Sequence, residues 1–261
     1  MYKKAALIAT FFLLGAVRGT AEETPISLLL GEIRDQNVHI RTGPTTNCED
    51  VAKAAQGDLL LVRDERFGWI QVDLPLWAVA WIHEDLVRLD QEEQPQEEDF
   101  LEPTLEELLC FGVVTGDRVN LRSRPGLRHT TLGQCRSGTR VRCTGRYGEW
   151  IRIQAPPGQT GWIHGDLIQI RPLHMSSLEL EKALSEKGAL LVCGRCEENG
   201  VLHHSIVGPF ATLRNESLGA KFLGQKVLVA AHVALGDLPD RHPLLDVLAV
   251  QVVPSPQDEK P

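Results

Sequence analysis

The chain has 261 residues, with 35 acidic against 27 basic side chains and a formal net charge of −8. That length leaves room for two or three small domains. The acidic balance argues against nucleic-acid binding, which usually requires a basic face, and against binding of polyanionic envelope polymers.

The first residues predict an export signal. Lys3 and Lys4 precede an apolar run over 5–17, and small residues follow at 19–21, where a signal peptidase would cut. The run is too short for a membrane span, and a buried N-terminal helix is the alternative interpretation. We expect residues 1–21 to be removed, which leaves a soluble periplasmic or extracellular protein with no membrane span.

An internal repeat dominates the next part of the chain. Residues 37–87 recur at 118–168, 81 positions later and without a gap, and Trp81-Ile82-His83 falls on Trp162-Ile163-His164. Within each copy, short alternating apolar segments are divided by Gly and Pro turns at intervals of about eight to twelve residues. This pattern predicts two small β-barrels or sandwiches, and an array of modules instead of one large enzyme domain.

The motifs of the second copy resemble the bacterial SH3 (SH3b) domain. They read Val-Asn-Leu-Arg-Ser-Arg-Pro at 119–125, Gly-Thr at 138–139, Glu-Trp-Ile-Arg-Ile at 149–153 and Gly-Trp-Ile-His at 161–164. The first copy departs from the family pattern at two positions, with His39 in place of Asn and Ala80 in place of Gly. The tandem arrangement resembles exported proteins of the Verrucomicrobia and their relatives.

This resemblance implies two non-catalytic SH3b domains, over 31–89 and 112–171. Modules of this family usually bind peptidoglycan peptides or position a neighbouring domain. Between them, residues 90–111 are rich in Glu and Gln and predict an acidic, solvated linker. Its segment Pro103–Leu109 predicts a short helix with Thr104 as the N-cap.

The last part of the chain, 176–254, predicts a third module. A capping-box pattern at 176–179 begins a helix, and alternating apolar segments then predict five strands, with a short helix at 217–223 between the third and the fourth. The strands are expected at 189–196, 201–207, 210–214, 226–233 and 244–253. This order is that of a small OB-like barrel, so the whole chain is predicted to be all-β, with short linker helices. Oligonucleotide binding is not favoured, because Phe210 and Phe222 are the only Phe, Trp or Tyr side chains of this module.

The six cysteines allow disulfides in an exported chain. We name Cys193–Cys196 and Cys135–Cys143 as possible pairs, with buried thiols as the alternative. A zinc site at the CxxC would need four ligands, and a redox site would need a βαβ setting, and neither is present in the sequence.

No catalytic residue, metal site or cofactor is predicted. Cys48 and His39 could form a nucleophile and a base, but a cysteine peptidase of the NlpC/P60 type would need a domain of its own. The repeated His83 and His164 are better explained by a shared structural role, closing the last strand of each copy with Asp85 and Asp166.

Aromatic side chains are the best candidates for a binding site. Trp77 and Tyr147 fall in predicted loops, while Trp69 and Trp150 are candidates that a small barrel could equally need for its core. We therefore predict an exported, non-catalytic binding or scaffold protein whose partner is a cell-wall peptide or an envelope protein. The alternatives are an accessory subunit that targets a cell-wall hydrolase, or a hydrolase itself.

Overall fold

The computed structural model describes residues 28–90, 105–172, 178–234 and 242–253. This part of the chain is all-β, as predicted, with two short α-helices. None of its helices has the length and apolar character needed to cross a membrane. The predicted export signal, most of the acidic linker and the capping residues at 176 and 177 lie outside the described residues.

The repeat is visible in the order of the strands. The first copy forms β1 (Leu29–Ile33), β2 (Val38–Arg41), β3 (Asp50–Ala54), β4 (Leu59–Arg66), β5 (Trp69–Asp73), β6 (Val79–His83) and β7 (Val87–Leu89). The second copy forms β8 (Glu106–Val114), β9 (Val119–Arg122), β10 (Thr131–Cys135), β11 (Arg140–Tyr147), β12 (Trp150–Gln154), β13 (Thr160–His164) and β14 (Ile168–Pro172). Single-turn 3-10 helices at Glu84–Leu86 and Gly165–Leu167 precede the last strand of each copy. The gapless sequence repeat is therefore also a repeat of secondary structure.

The two copies exchange their last two strands. One seven-stranded sheet has the order β14-β1-β4-β5-β13-β2-β3, and the other has the order β10-β9-β6-β12-β11-β8-β7. Gln71 on β5 lies opposite Trp162 on β13, and Arg152 on β12 lies opposite Trp81 on β6. Each sheet thus contains five strands from one copy and two strands from the other.

Because of this exchange, the predicted domain boundaries do not coincide with the folded units. The ranges 31–89 and 112–171 describe the sequence repeats, but neither contains all the strands of one sheet. The connection over 74–78 carries the chain out of the first sheet, and 155–159 carries it back. We call β1–β5 with β13 and β14 the first barrel, and β8–β12 with β6 and β7 the second barrel.

The predicted helix at Pro103–Leu109 is wrong. Glu106 begins the long strand β8, whose residues pair with β11, so that Glu106 lies opposite Arg146 and Cys110 lies opposite Cys143. Thr104, the predicted N-cap, lies outside the described residues. The run Glu-Glu-Leu-Leu is locally compatible with a helix, but pairing along β11 and burial of the strand's C-terminal half outweigh that preference.

The third module agrees with its prediction. After α1 (Leu178–Leu184) come β15 (Leu190–Cys196), β16 (Val201–His204), β17 (Gly208–Leu213), α2 (Glu216–Lys221), β18 (Lys226–Ala234) and β19 (Leu244–Val252). The strands close in the order β15-β16-β17-β19-β18, with β17 parallel to β19. Asn215 begins α2, and its side chain accepts a hydrogen bond from the Ser217 backbone N–H at 3.0 Å. The module is a small closed barrel with the predicted helix between its third and fourth strands.

The third module packs directly on the first barrel. Leu30, Leu59 and Leu61 of the first barrel share one buried cluster with Leu180 of α1 and Leu228 of β18. Each fully buried leucine contributes about 1.5–3 kcal/mol to stability. The chain therefore forms three barrels whose apolar surfaces are joined, and not three independent domains on flexible linkers.

Candidate functional site

Two Trp–His pairs lie at equivalent places in the two barrels. The rings of Trp69 and His164 meet edge-on with their centroids 5.2 Å apart, and those of Trp150 and His83 meet in the same way at 5.4 Å. The partners in each pair face each other on neighbouring strands that come from different copies. Trp69 is buried and Trp150 is half-buried, so packing across the exchange is their common role.

The histidines of these pairs also cap the short helices that follow them. Nδ1 of His83 accepts a hydrogen bond from the Asp85 backbone N–H, and Nδ1 of His164 accepts one from Asp166, each at 3.4 Å. This confirms the predicted structural role of both histidines at the last strand of each copy.

Trp77 lies half-buried between the first barrel and the third module. Its Nε1 donates a hydrogen bond to the Lys53 carbonyl oxygen at 3.0 Å. Its ring stacks on the His204 ring with the centroids 4.2 Å apart, and it meets the Phe210 ring edge-on with the centroids 5.1 Å apart. The neighbouring Leu76 is buried in the core of the third module. The contacts of Trp77 join these two units, and its role in ligand binding stays a prediction.

A buried polar pair lies beside Trp77. His204 Nε2 and Asp58 Oδ2 are 2.7 Å apart, and the Ala55 backbone N–H donates to the same oxygen at 2.6 Å. His204 Nδ1 accepts from the Ile206 backbone N–H at 3.2 Å, which assigns the ring proton to Nε2. The side chains are only 3% and 6% exposed, so the bond from the imidazole to the carboxylate holds two modules together in a dry site. Sequence analysis missed this pair, although Asp58 has no acidic counterpart in the second copy, where Thr139 takes its place.

Tyr147 and Trp150 are brought together as neighbours. They face each other across the turn at 148–149 that joins β11 to β12, and both are half-buried. Glu149 in that turn lies 3.4 Å from Nε2 of His83. The second barrel thus presents an aromatic pair with a carboxylate beside it, and a role for this pair in binding stays a prediction.

Glu49 connects the loops of the two copies. Its carboxylate accepts hydrogen bonds from the Ser123 hydroxyl and from the Thr130 backbone N–H at 3.0 Å, and it lies 2.5 Å from Nδ1 of His129. Burial alone would raise the pKa of Glu49, but these hydrogen bonds from Ser123, His129 and Thr130 outweigh it and lower the pKa to about 2. The carboxylate therefore stays ionised at neutral pH and ties one copy to the other.

Neither predicted disulfide is formed, and no disulfide joins any two of the six cysteines, all of which lie in the described ranges. Cys193 and Cys196 are on opposite faces of β15, since Cys193 belongs to the cluster against the first barrel and Cys196 to the interior of the third module. Burial raises the pKa of Cys193 to about 11, which argues against a reactive thiolate at neutral pH. Cys135 lies opposite Val119, whereas the residue opposite Cys143 is Cys110.

Oxidation should join Cys110 to Cys143. Opposed residues on antiparallel strands have Cα atoms about 4.5–5.5 Å apart, within the range of about 4.4–6.8 Å seen in disulfides. Both side chains are fully buried in the core of the second barrel. After refolding with oxidised glutathione, which accepts the two electrons and two protons of the thiols, peptide mapping by mass spectrometry should find this bond. Cys135→Ser should leave the bond intact, and a bond from Cys143 to Cys135 would contradict the prediction.

The described residues contain no group of three or more His, Cys, Asp or Glu side chains that could hold a metal ion. They do contain a cleft of about 290 Å³ between the second barrel and the third module. Its polar lining consists of Arg140, Arg142, Gln154, Lys187 and His232. Sequence analysis missed this basic cleft, because its residues come from separate segments of an acidic chain.

Comparison with known families identifies one segment. Residues 117–169 match the family model of the bacterial SH3 domain. Bacterial SH3 domains are binding modules that are commonly related to the cell wall. The matched segment includes β13 and the start of β14, which lie in the first barrel, while its strands β9–β12 lie in the second.

No curated protein and no solved structure matches the chain. The family match does not extend to the first copy. That the first copy is a second bacterial SH3 domain, and that the chain is like exported proteins of the Verrucomicrobia, both stay predictions.

Proposed function

We propose that the protein is an exported, non-catalytic binding protein that recognises a cell-wall peptide or an envelope protein. The observation that carries this proposal is the bacterial SH3 segment at 117–169, in which Tyr147 and Trp150 remain partly exposed side by side. Tyr and Trp are the residues most often found at the centre of binding interfaces, because they offer a large contact area with a polar edge. The apolar N-terminal run supports export.

The joined barrels suit a scaffold. Packing of the third module on the first barrel and the exchange of strands fix the relative positions of the three barrels. A ligand that contacts more than one barrel would then meet a preorganised surface, which reduces the entropy lost on binding. The two alternatives differ from this proposal because each requires a bond of the cell wall to be hydrolysed, either by a partner enzyme or by the protein itself.

Retention on purified sacculi tests the proposal. The mature protein should be retained, and Tyr147→Ala should reduce retention several-fold because it removes an aromatic contact. Phe67→Ala is the matched control, since Phe67 is 92% exposed at the corresponding turn of the first barrel. Failure of the wild-type protein to bind sacculi or an envelope extract would contradict the proposal. Release of muropeptides that is lost with Cys48→Ser would support the hydrolase alternative.

A further inference from the structure

We propose that the cleft between the second barrel and the third module binds the free carboxylate of a short peptide. This inference rests on the proposed function and names a subsite for it. The cleft is lined by residues from three places: the start of β11, the end of β12 with the loop that follows, and the turn after α1 together with the end of β18. It is therefore present only when the second barrel and the third module are both folded.

The charge of the lining indicates an anion. Arg140, Arg142 and Lys187 are cationic, His232 can donate a hydrogen bond, and no Asp or Glu is among the described lining residues. Arg140 also donates to Asp90 at 2.8 Å, so one carboxylate lies close by and offsets part of this charge. Arg140, Arg142 and Lys187 thus place positive charge at this cleft in a chain with a net charge of −8, and such charge attracts anions.

The hydrogen-bonding groups indicate a peptide rather than a simple ion. The Gln154 amide nitrogen donates to the Leu76 carbonyl oxygen at 3.0 Å, which fixes the orientation of the amide. Its Oε1 is a buried acceptor without a hydrogen-bond partner among the described residues. Nε2 of His232, which can donate, is also buried and without a partner there. Buried polar atoms usually have partners, so a ligand that brings both an acceptor and an N–H group would suit this site. A carboxylate next to an amide has both.

The walls and size of the cleft agree with such a ligand. Pro156 and Pro157 supply an apolar side without backbone N–H donors, and a volume of about 290 Å³ accommodates a few atoms around a peptide terminus rather than a polymer chain. Of the cationic lining residues, Lys187 is exposed, so it can meet a ligand and be replaced without disturbing the core.

The test uses the full mature chain and the tetrapeptide L-Ala-γ-D-Glu-L-Lys-D-Ala as the probe. Isothermal titration calorimetry at low ionic strength should detect binding, and amidation of the carboxylates should abolish it. Lys187→Glu should weaken binding at least about tenfold, since it replaces attraction with repulsion. Lys182→Glu is the matched control: it makes the same charge change at an exposed position of α1 outside the cleft and should leave the affinity unchanged.

Three results would overturn the inference: no binding of the tetrapeptide, equal binding of its amidated form, or equal losses with Lys187→Glu and Lys182→Glu. Retention of the same protein on sacculi would in each case leave the proposed function standing. Conversely, binding of the tetrapeptide with the expected Lys187 dependence, but no retention on sacculi, would support the subsite and contradict the cell wall as the partner.

Discussion

Cysteines introduced at Asp73 and Thr160 should form a disulfide that links the two halves of the chain. Asp73 at the end of β5 lies directly opposite Thr160 at the start of β13, so the two Cα atoms are within disulfide range. If each copy closed on itself, Asp73 would instead face Val79, the counterpart of Thr160 in the first copy. The pair Asp73→Cys with Val79→Cys is therefore the matched control.

A protease site placed within residues 91–99 turns this difference into a simple measurement. After mild oxidation and cleavage, the Asp73→Cys/Thr160→Cys protein should run as one band on a denaturing gel without reductant and as two bands with it. The control protein should give two bands under both conditions. Two bands without reductant from the test protein, together with a bond between positions 73 and 79 found by peptide mapping of the control protein, would mean that the strands are not exchanged.

The same exchange predicts that neither half of the tandem folds alone. A fragment with residues 28–90 retains β6 and β7 but lacks β13 and β14, which pair with its β5 and β1. Ile163 and Ile168, two buried members of its core, would be missing as well. Such a fragment should show no cooperative urea transition by circular dichroism, and a cooperative transition would mean that β6 and β7 have folded back to replace the missing strands.

Sequence could not have predicted the exchange, for a physical reason. Ile70 faces Ile163 in the exchanged arrangement and would face Ile82 in a closed copy, and Gln71 would face a tryptophan in either case. Because the repeat places the same side chains opposite each other, the strand contacts hardly distinguish the two arrangements. The connection over 74–78, between β5 and β6, distinguishes the exchanged arrangement from the closed one. Here Leu76 and Trp77 in this connection pack against the third module.

The third module was predictable because its signals are local. Each apolar segment is bounded by turn residues, and Gly200, Gly208 and Gly224 indeed have the positive φ angles that such turns require. The helix predicted before the second copy failed for the opposite reason, since the strand there depends on pairing with β11, more than 20 residues later. The local sequence pattern predicts secondary structure correctly where the strands that pair with a segment are close in sequence. It misleads where those strands are distant.

The candidate site follows the same rule. Tyr147 and Trp150 are three residues apart, and their proximity could be inferred from the sequence. The role of Trp77 could not, because it depends on His204 and Asp58, which are 146 residues apart from each other. The basic cleft likewise collects residues from widely separated segments, so only the folded chain reveals it.

Replacing Asp58 with Asn should cause the largest loss of stability of any single polar change considered for this protein. The carboxylate accepts hydrogen bonds from His204 and from the Ala55 backbone N–H in a site closed to water. Both donors bond to the same carboxylate oxygen, so the oxygen of an asparagine amide could still accept both hydrogen bonds, but the negative charge that strengthens them would be lost. A hydrogen bond to a charged group contributes about 1.5–3 kcal/mol and one between neutral groups about 0.5–1.5 kcal/mol, so weakening two such bonds should lower the urea midpoint clearly.

Asp246→Asn is the matched control, because Asp246 forms an exposed pair with Arg214 at 2.9 Å. Exposed pairs contribute at most about 1 kcal/mol, so this change should scarcely move the midpoint. Hydrogen exchange then locates the effect: protection of the Ala55 and Ile206 amides should drop in the Asp58→Asn protein only, since both amides bond to the buried pair. Equal midpoints for the two variants would mean that the pair does not hold the third module on the first barrel, and apolar packing around Leu30 and Leu228 would then account for the junction.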